Sequence, residues 1–236
     1  MTLAELYEKL SFGELQNLYE ADEGSGVLRD DFKPKVVRHL NDALLRLYSR
    51  FALKESNLVL ELHDHITNYH LKSKFAESQW ETSGQDFLYI KDMTREPFTD
   101  DIIRILSVYN NFGDQIPLND DTQPESVFSP QGALLQVPRP VSGQALSLVY
   151  QAKHPILYWD RDETEQEIEI PDVLEEALLA YVAHKLYSNK NTQEAQGIAQ
   201  NHIAMYEAIC QDVIDKDLVS TSSSTTNIRF NKGGWV

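Results

Sequence analysis

Apolar positions in the first third of the chain repeat at helical spacing. Leu3, Leu6 and Leu10 share one face of a short helix for which Thr2 is a suitable N-cap. Ser11 followed by Glu14 has capping-box spacing and predicts a helical restart through Leu15 and Leu18. The stretch A-D-E-G-S-G ends that pattern. Pro34 then opens a longer helix in which Val36, Val37, Leu40, Leu44, Leu47, Tyr48 and Phe51 form a stripe. Arg38, Asn41, Asp42 and Arg46 lie off that stripe.

From Leu58 the period changes. L-V-L-E-L-H-D-H-I-T-N-Y-H-L alternates in part and is rich in β-forming residues. Q-D-F-L-Y-I-K-D, I-I-R-I-L-S-V-Y-N, A-L-L-Q-V-P and Q-A-L-S-L-V-Y-Q-A predict further short strands. Asn110, Asn111 and Gly113 supply a turn before Gln115-Ile116-Pro117-Leu118, which predicts a hairpin. Six of the nine prolines fall between Pro97 and Pro140, which fits a loop-rich β region. After a charged approach over 160–169, Pro171 and Asp172 begin a second helical region with Leu174, Leu178, Tyr181 and Val182 on its apolar face. A polar turn over 189–192 leads to a helix over 193–217, buried through Ala199, Ile203, Tyr206, Cys210, Val213 and Ile214. The short connection predicts an antiparallel helical hairpin. The pattern divides the chain into N-terminal helices (1–57), a β-rich insertion (58–160), a helical hairpin (161–218) and a C-terminal arm (219–236).

Composition narrows the function. The 236 residues are 42% hydrophobic and 10% aromatic, enough for a sizeable core. No apolar run reaches the ~20 residues that a bilayer requires. The first ten residues lack a basic region followed by an apolar one, so no secretion signal is expected. Cys210 stands alone at an apolar helical position and reads as a buried thiol in a protein made in a reducing cytoplasm. A net charge of -16 argues against a broad grip on nucleic acid or on anionic membrane. It is compatible with a passage through which a duplex slides without sticking.

Few residues nominate chemistry. His63, Asp64 and His65, with His70 nearby, are the nearest to a metal constellation. On a strand, His63 and His65 would share a face, which suits a zinc or iron ligand pair, yet Glu61 and Thr67 fit an ordinary exposed face and no third ligand is identifiable. His154 before Pro155 reads as a strand end, and His184 and His202 lie on opposite arms of the helical hairpin, where they could meet. Glu175 and Glu176 suit a helix N-terminus. Phosphate-loop, dinucleotide, nucleophile-elbow and H-E-x-x-H motifs are absent. A non-enzymatic protein without cofactor or metal is the leading expectation. The alternatives are a small cytoplasmic metal-dependent hydrolase using His63, His65 and His70, and a monomeric module that binds through its β region.

The C-terminal segment V-S-T-S-S-S-T-T-N-I-R-F-N-K-G-G-W-V joins a hydroxyl-rich tether to Asn227, Ile228, Arg229, Phe230, Lys232 and Trp235. It has two basic residues and no acidic one. Such a composition should be flexible alone. It reads as a frayed terminus or, given its aromatic and basic tip, as an arm that orders against something else, since aromatic and arginine anchors dominate interfaces.

The order of segments carries a resemblance. V-V-R-H-L-N-D-A-L-L-R-L-Y-S-R-F is followed by L-E-L-H-D-H-I-T-N-Y-H-L, I-L-S-V-Y-N-N-F-G-D-Q-I-P-L-N-D and L-S-L-V-Y-Q-A-K-H-P. I-P-D-V-L-E-E-A-L-L-A-Y-V-A-H-K-L-Y-S-N and the terminal K-G-G-W-V complete the series. From about Lys33 onward this resembles the head-to-tail adaptor (connector) proteins of tailed bacteriophages, especially short-tailed ones. The resemblance implies an α+β, mainly α fold: a helical bundle core with an inserted antiparallel β region and an extended C-terminal arm. It implies a homo-oligomeric ring, commonly of twelve copies, at the head-tail junction of the virion. The portal protein would bind the arm, a tail tube or nozzle protein the other face, and genomic DNA would pass through without specific binding. The helices over 34–51, 171–188 and 193–217 would build the ring, and the β insertion would face the tail or the next subunit. Offsetting the acidic body would place Arg38, Arg46, Arg50 or Lys185 near acidic neighbours.

Overall fold

The computed structural model describes residues 1–15, 28–79, 84 and 87–219. The chain forms two compact units, one of Met1–Ala43 with Tyr158–Val236 and one of Leu44–Leu157. Among the described residues there are four α-helices and two antiparallel sheets, with 37% helix and 22% strand.

In the first unit, α1 (Leu3–Phe12) starts on a complete capping box. The Thr2 hydroxyl accepts from the Glu5 amide, and the Glu5 carboxylate accepts from the Thr2 amide. Leu3, Leu6 and Leu10 are fully buried. Ser11 does not restart a helix: it lies inside α1 and is buried, because the apolar register of Leu3 to Leu10 carries the helix past it. Gly13 ends the helix with its amide on the Lys9 carbonyl, 2.9 Å away. Leu18 lies outside the described residues.

Helix α2 (Lys33–Arg50) begins in this unit and its last turns belong to the second. Val36, Val37, Leu40, Leu44, Leu47 and Tyr48 are buried along the expected stripe. A 3-10 turn over Asp172–Leu174 precedes α3 (Glu175–Ser188), and Thr192 caps α4 (Gln193–Asp215) by accepting from the Ala195 amide at 3.2 Å. Helix α3 buries Ala177, Leu178, Ala180, Tyr181, Val182, Ala183, Leu186 and Tyr187, far more than one stripe, and it packs along α4. Its three alanines let neighbouring backbones approach closely.

The second unit carries the strands. A five-stranded sheet has the order β3-β1-β8-β4-β5, with β1 (Glu55–Glu61), β3 (Ile90–Lys91), β4 (Ile102–Tyr109), β5 (Gln115–Ile116) and β8 (Ala145–Ala152). A three-stranded sheet has the order β2-β7-β6, with β2 (Asn68–His70), β6 (Phe128–Gln131) and β7 (Leu134–Gln136). Both sheets feed one core, in which Leu58, Leu60, Leu148 and Val108 of the first meet Tyr69 and Leu135 of the second. Tyr69 and Tyr89 pack edge to face at 5.1 Å within it.

This core overturns the expectation of a mainly α protein built on a helical bundle. Residues from Leu58 to Ala152 bury alternate apolar side chains and large tyrosines among themselves, so the β elements hold a hydrophobic core of their own. Local periodicity marks each helix and strand but not how the buried area divides between them.

The partly alternating, β-rich stretch from Leu58 is divided between two strands. It forms β1 and β2 in different sheets, because the residues between them bond to a distant loop. Leu62 donates to the Gln144 carbonyl at 2.8 Å, Gly143 donates to the Leu62 carbonyl at 3.1 Å, and Asp64 donates to the Ser142 hydroxyl at 2.8 Å. The expected hairpin at Asn110–Gly113 does form, pairing β4 with β5.

Candidate functional site

The turn between β1 and β2 holds His63 and His65. Neither is on a strand, so strand alternation does not place them; the turn brings their rings to 5.8 Å. Phe87 packs against both, at 5.7 and 4.9 Å. His65 Nδ1 lies 3.2 Å from the Asp64 carboxylate, which the hydrogen bonds from His65 and Ser142 hold below the ordinary aspartate range. His70 is exposed on β2, and its carbonyl accepts from the Tyr89 hydroxyl at 2.9 Å. Among the described residues no group of three His, Cys, Asp or Glu is arranged to hold a metal. The histidines read as a turn packed on an aromatic ring.

The remaining sequence candidates have structural partners. His154 is buried just beyond β8, edge-on to Tyr48 at 5.5 Å. His184 and His202 do not bond each other. His184 Nδ1 reaches the Ala199 carbonyl at 2.9 Å, while His202 stacks on Tyr187 and lies 3.1 Å from the Glu14 carboxylate. Glu175 pairs with Lys9, and the Cys210 side chain is fully buried. Lys185 and Arg38 both bring positive charge to His39, opposed by Asp42, and Lys185 also lies over the Tyr181 ring at 5.4 Å.

Two elements instead present large apolar side chains on fixed backbones. In the first unit, the loop over 158–166 is clasped by Gln166. Its amide nitrogen donates to the Tyr158 carbonyl at 2.7 Å and its amide oxygen accepts from the Tyr158 amide at 2.7 Å. The Asp162 carboxylate accepts from the Thr164 hydroxyl and amide, which hold it below its ordinary pKa. Carbonyls of Gln166 and Glu163 accept from the amides of Leu3 and Ala4, the first orphan donors of α1. Lys33 adds an ion pair to Glu163 at 3.1 Å. The clasp holds Tyr158 beneath the Arg161 guanidinium, 3.8 Å from the ring centre, and leaves Trp159 57% exposed. Trp, Tyr and Arg are the residue types that anchor protein interfaces.

In the second unit the β4–β5 hairpin offers Phe112, 82% exposed. Asn110 Oδ1 accepts from the amides of Phe112 and Asp114, both at 2.9 Å, and Gly113 takes the left-handed conformation that closes the turn. Neither the clasped loop nor Phe112 stood out in the sequence pattern. Y-W-D-R at 158–161 was the available signal for the first, since it groups Tyr, Trp and Arg, the residue types that anchor interfaces.

The arrangement supplies contact surfaces, and the comparison with known families agrees. The SU10 adaptor protein family matches residues 1–229. The chain belongs to that family. It is a family of phage head-tail adaptors, so the adaptor's role is structural and its place is the head-tail junction of the virion. A comparison with curated proteins found no match. Among the described residues of the adaptor, no helix is long and apolar enough to cross a membrane. The arm residues Asn227, Ile228, Arg229, Phe230, Lys232 and Trp235 lie outside the described residues, and the last three also lie beyond the family match.

Proposed function

We propose that the adaptor acts as a ring, with twelve copies as the working number, set between the portal and the tail of a short-tailed phage. The observation that carries this reading is the family match over residues 1–229. Portal and tail proteins are the partners that a head-tail adaptor must engage, and closed rings are how identical subunits surround an axis. The genome passes through the ring without specific binding. The net charge of -16 per chain supports this, because an acidic wall repels the phosphate backbone.

The portal contact in this reading is the C-terminal arm, with Ile228, Phe230 and Trp235 as apolar anchors and Arg229 and Lys232 as its cations. Repetition around a ring makes weak arms collectively strong. Tyr158, Trp159 and Arg161 serve as a second protein contact, on the strength of their exposure and fixed loop.

The test is to mix the purified adaptor with its portal and measure the mass and symmetry of the product. A closed ring of adaptor on the portal is the expected result. Free adaptor that leaves the portal bare at all concentrations would overturn the proposal. A monomer without portal would not, because assembly on a template is compatible with it.

A further inference from the structure

Strand β1 is paired along its whole length on one side only. Against β8 its register runs from Glu55 opposite Gln151 to Glu61 opposite Ala145. On its other side β3 is two residues long and meets only Val59 and Leu60. The Glu61 amide donates to the Tyr89 carbonyl on that same side, at 2.8 Å. Main-chain groups of an antiparallel strand alternate between its two neighbours. Counting back from Glu61, the amides and carbonyls of Val59, Asn57 and Glu55 point the same way, while those of Ser56 and Leu58 serve β8. Beyond the end of β3, no strand among the described residues pairs with Glu55 to Leu58 on the side away from β8.

A cleft of ≈ 560 Å³ runs along this open stretch, walled by Glu55 to Val59 on one side and by segments of 91–101 on the other. Natural sheets generally cover or blunt such an edge, since it is a template for another strand. Here it borders an open space held in shape from both sides. Asp92 fixes the far wall by accepting from the amides of Ser78 and Phe98, each at 2.9 Å. Asp101 accepts from the Tyr150 hydroxyl at 2.9 Å. Phe98 is buried, and Met93, 70% exposed, gives the rim an apolar contact.

The charge of the cleft selects its occupant. Glu55, Asp92, Glu96 and Asp101 line it against Lys91. Lys91 is already engaged by Glu61 at 2.6 Å and by Glu77. We propose that the open edge of β1 takes an extended, basic segment of a partner protein as an added strand. Main-chain bonds to Asn57 and Glu55 hold the segment, and its lysine or arginine side chains meet Glu55 and Glu96. The body of a second copy is a poor occupant, because each chain is itself strongly acidic. The site is independent of the portal assignment and stands or falls separately from it.

Amide hydrogen exchange on the full-length protein tests the proposal with its own internal control. A short synthetic peptide alternating valine with lysine is expected to slow exchange at Asn57 about tenfold, with Leu58, already bonded to β8, unchanged. A matching peptide alternating valine with glutamate is expected to have no effect. The double substitution Glu55→Lys, Glu96→Lys changes two exposed side chains, so it should fold normally and lose the response to the lysine peptide. No slowing at Asn57, or equal slowing by both peptides, would overturn the proposal and leave the edge merely blunted. So would an Asn57 amide already slow in the full chain and released by removing residues 219–236, since the chain's own basic tail would then be the occupant.

Discussion

Gln151 shows how one polar side chain can tie a helix end to a sheet. It is wholly buried on β8. Its Nε2 donates to the carbonyls of Tyr48 and, at 3.0 Å, Phe51, at the C-terminal end of α2 where carbonyls lack helical partners. Its Oε1 accepts from Arg104 Nε at 2.7 Å. Gln151→Leu keeps the volume and removes all three of these hydrogen bonds, two of them inside the core, so it should lower unfolding free energy by about 2–4 kcal/mol, read as a reduced urea midpoint. A midpoint equal to that of the native protein would show that these partners find water instead. His39 makes the pH case. Desolvation, with Lys185 and Arg38 nearby, holds its imidazole below the ordinary histidine pKa against the opposing pull of Asp42. The unfolded chain therefore binds the proton more readily, and this contribution is present above about pH 6.5 and lost as pH falls from there through the folded pKa. His39→Gln should flatten the fall in melting temperature between about pH 7 and 5. An unchanged slope would assign the acid sensitivity to other groups.

The elements differ in how far local pattern reveals them, and Gly132 marks the difference. It sits in the turn between β6 and β7, where an added Cβ would lie 2.5 Å from the Ile103 carbonyl on β4. That neighbour is backbone and cannot swing away, so Gly132→Ala should cost about 1–3 kcal/mol, measurable as a lower thermal midpoint with the sheet content kept. Nothing adjacent in sequence signals the contact. Helices α2, α3 and α4 were legible because their stripes repeat within the segment, as were β4 and β8 through alternation. Strand β6 was not, since F-S-P-Q includes a proline and pairs at the ends of a register shift. The break between β1 and β2 depends on bonds to Ser142, Gly143 and Gln144, some eighty residues away. The clasped loop is a similar case: Tyr158, Trp159 and Arg161 are visible in the sequence, but their fixed presentation depends on Gln166 and on the first turn of α1. Sequence order pointed to the adaptor family, while the weight of the β core within it emerged only from the tertiary packing.

At the scale of the whole molecule, the proposed ring sets long-range charge against short-range contacts. A chain with net charge -16 repels its own copies at long range, so a ring of them needs short-range anchors and benefits from salt, which screens exposed charge beyond about 10 Å at 0.1 M. The C-terminal segment has the opposite balance, two cations and no acid, together with Ile228, Phe230 and Trp235. If it is the portal contact, removing residues 227–236 should leave the melting temperature of the adaptor unchanged and abolish its co-sedimentation with the portal. Point substitutions then rank the forces. Trp235→Ala should weaken docking by roughly 2 kcal/mol or more per arm, because burying an indole at an interface centre is among the largest single contributions. Lys232→Ala should cost roughly 0–1 kcal/mol, the range of a solvent-screened pair, and its effect should fade as salt is raised. A truncated adaptor that still docks at full strength would shift the contact to the body, where the loop with Tyr158, Trp159 and Arg161 is the next surface to substitute. The reverse ranking, with Lys232 dominant and strongly salt-sensitive, would mean that the arm is held by charge and that its aromatic tip stays at the rim.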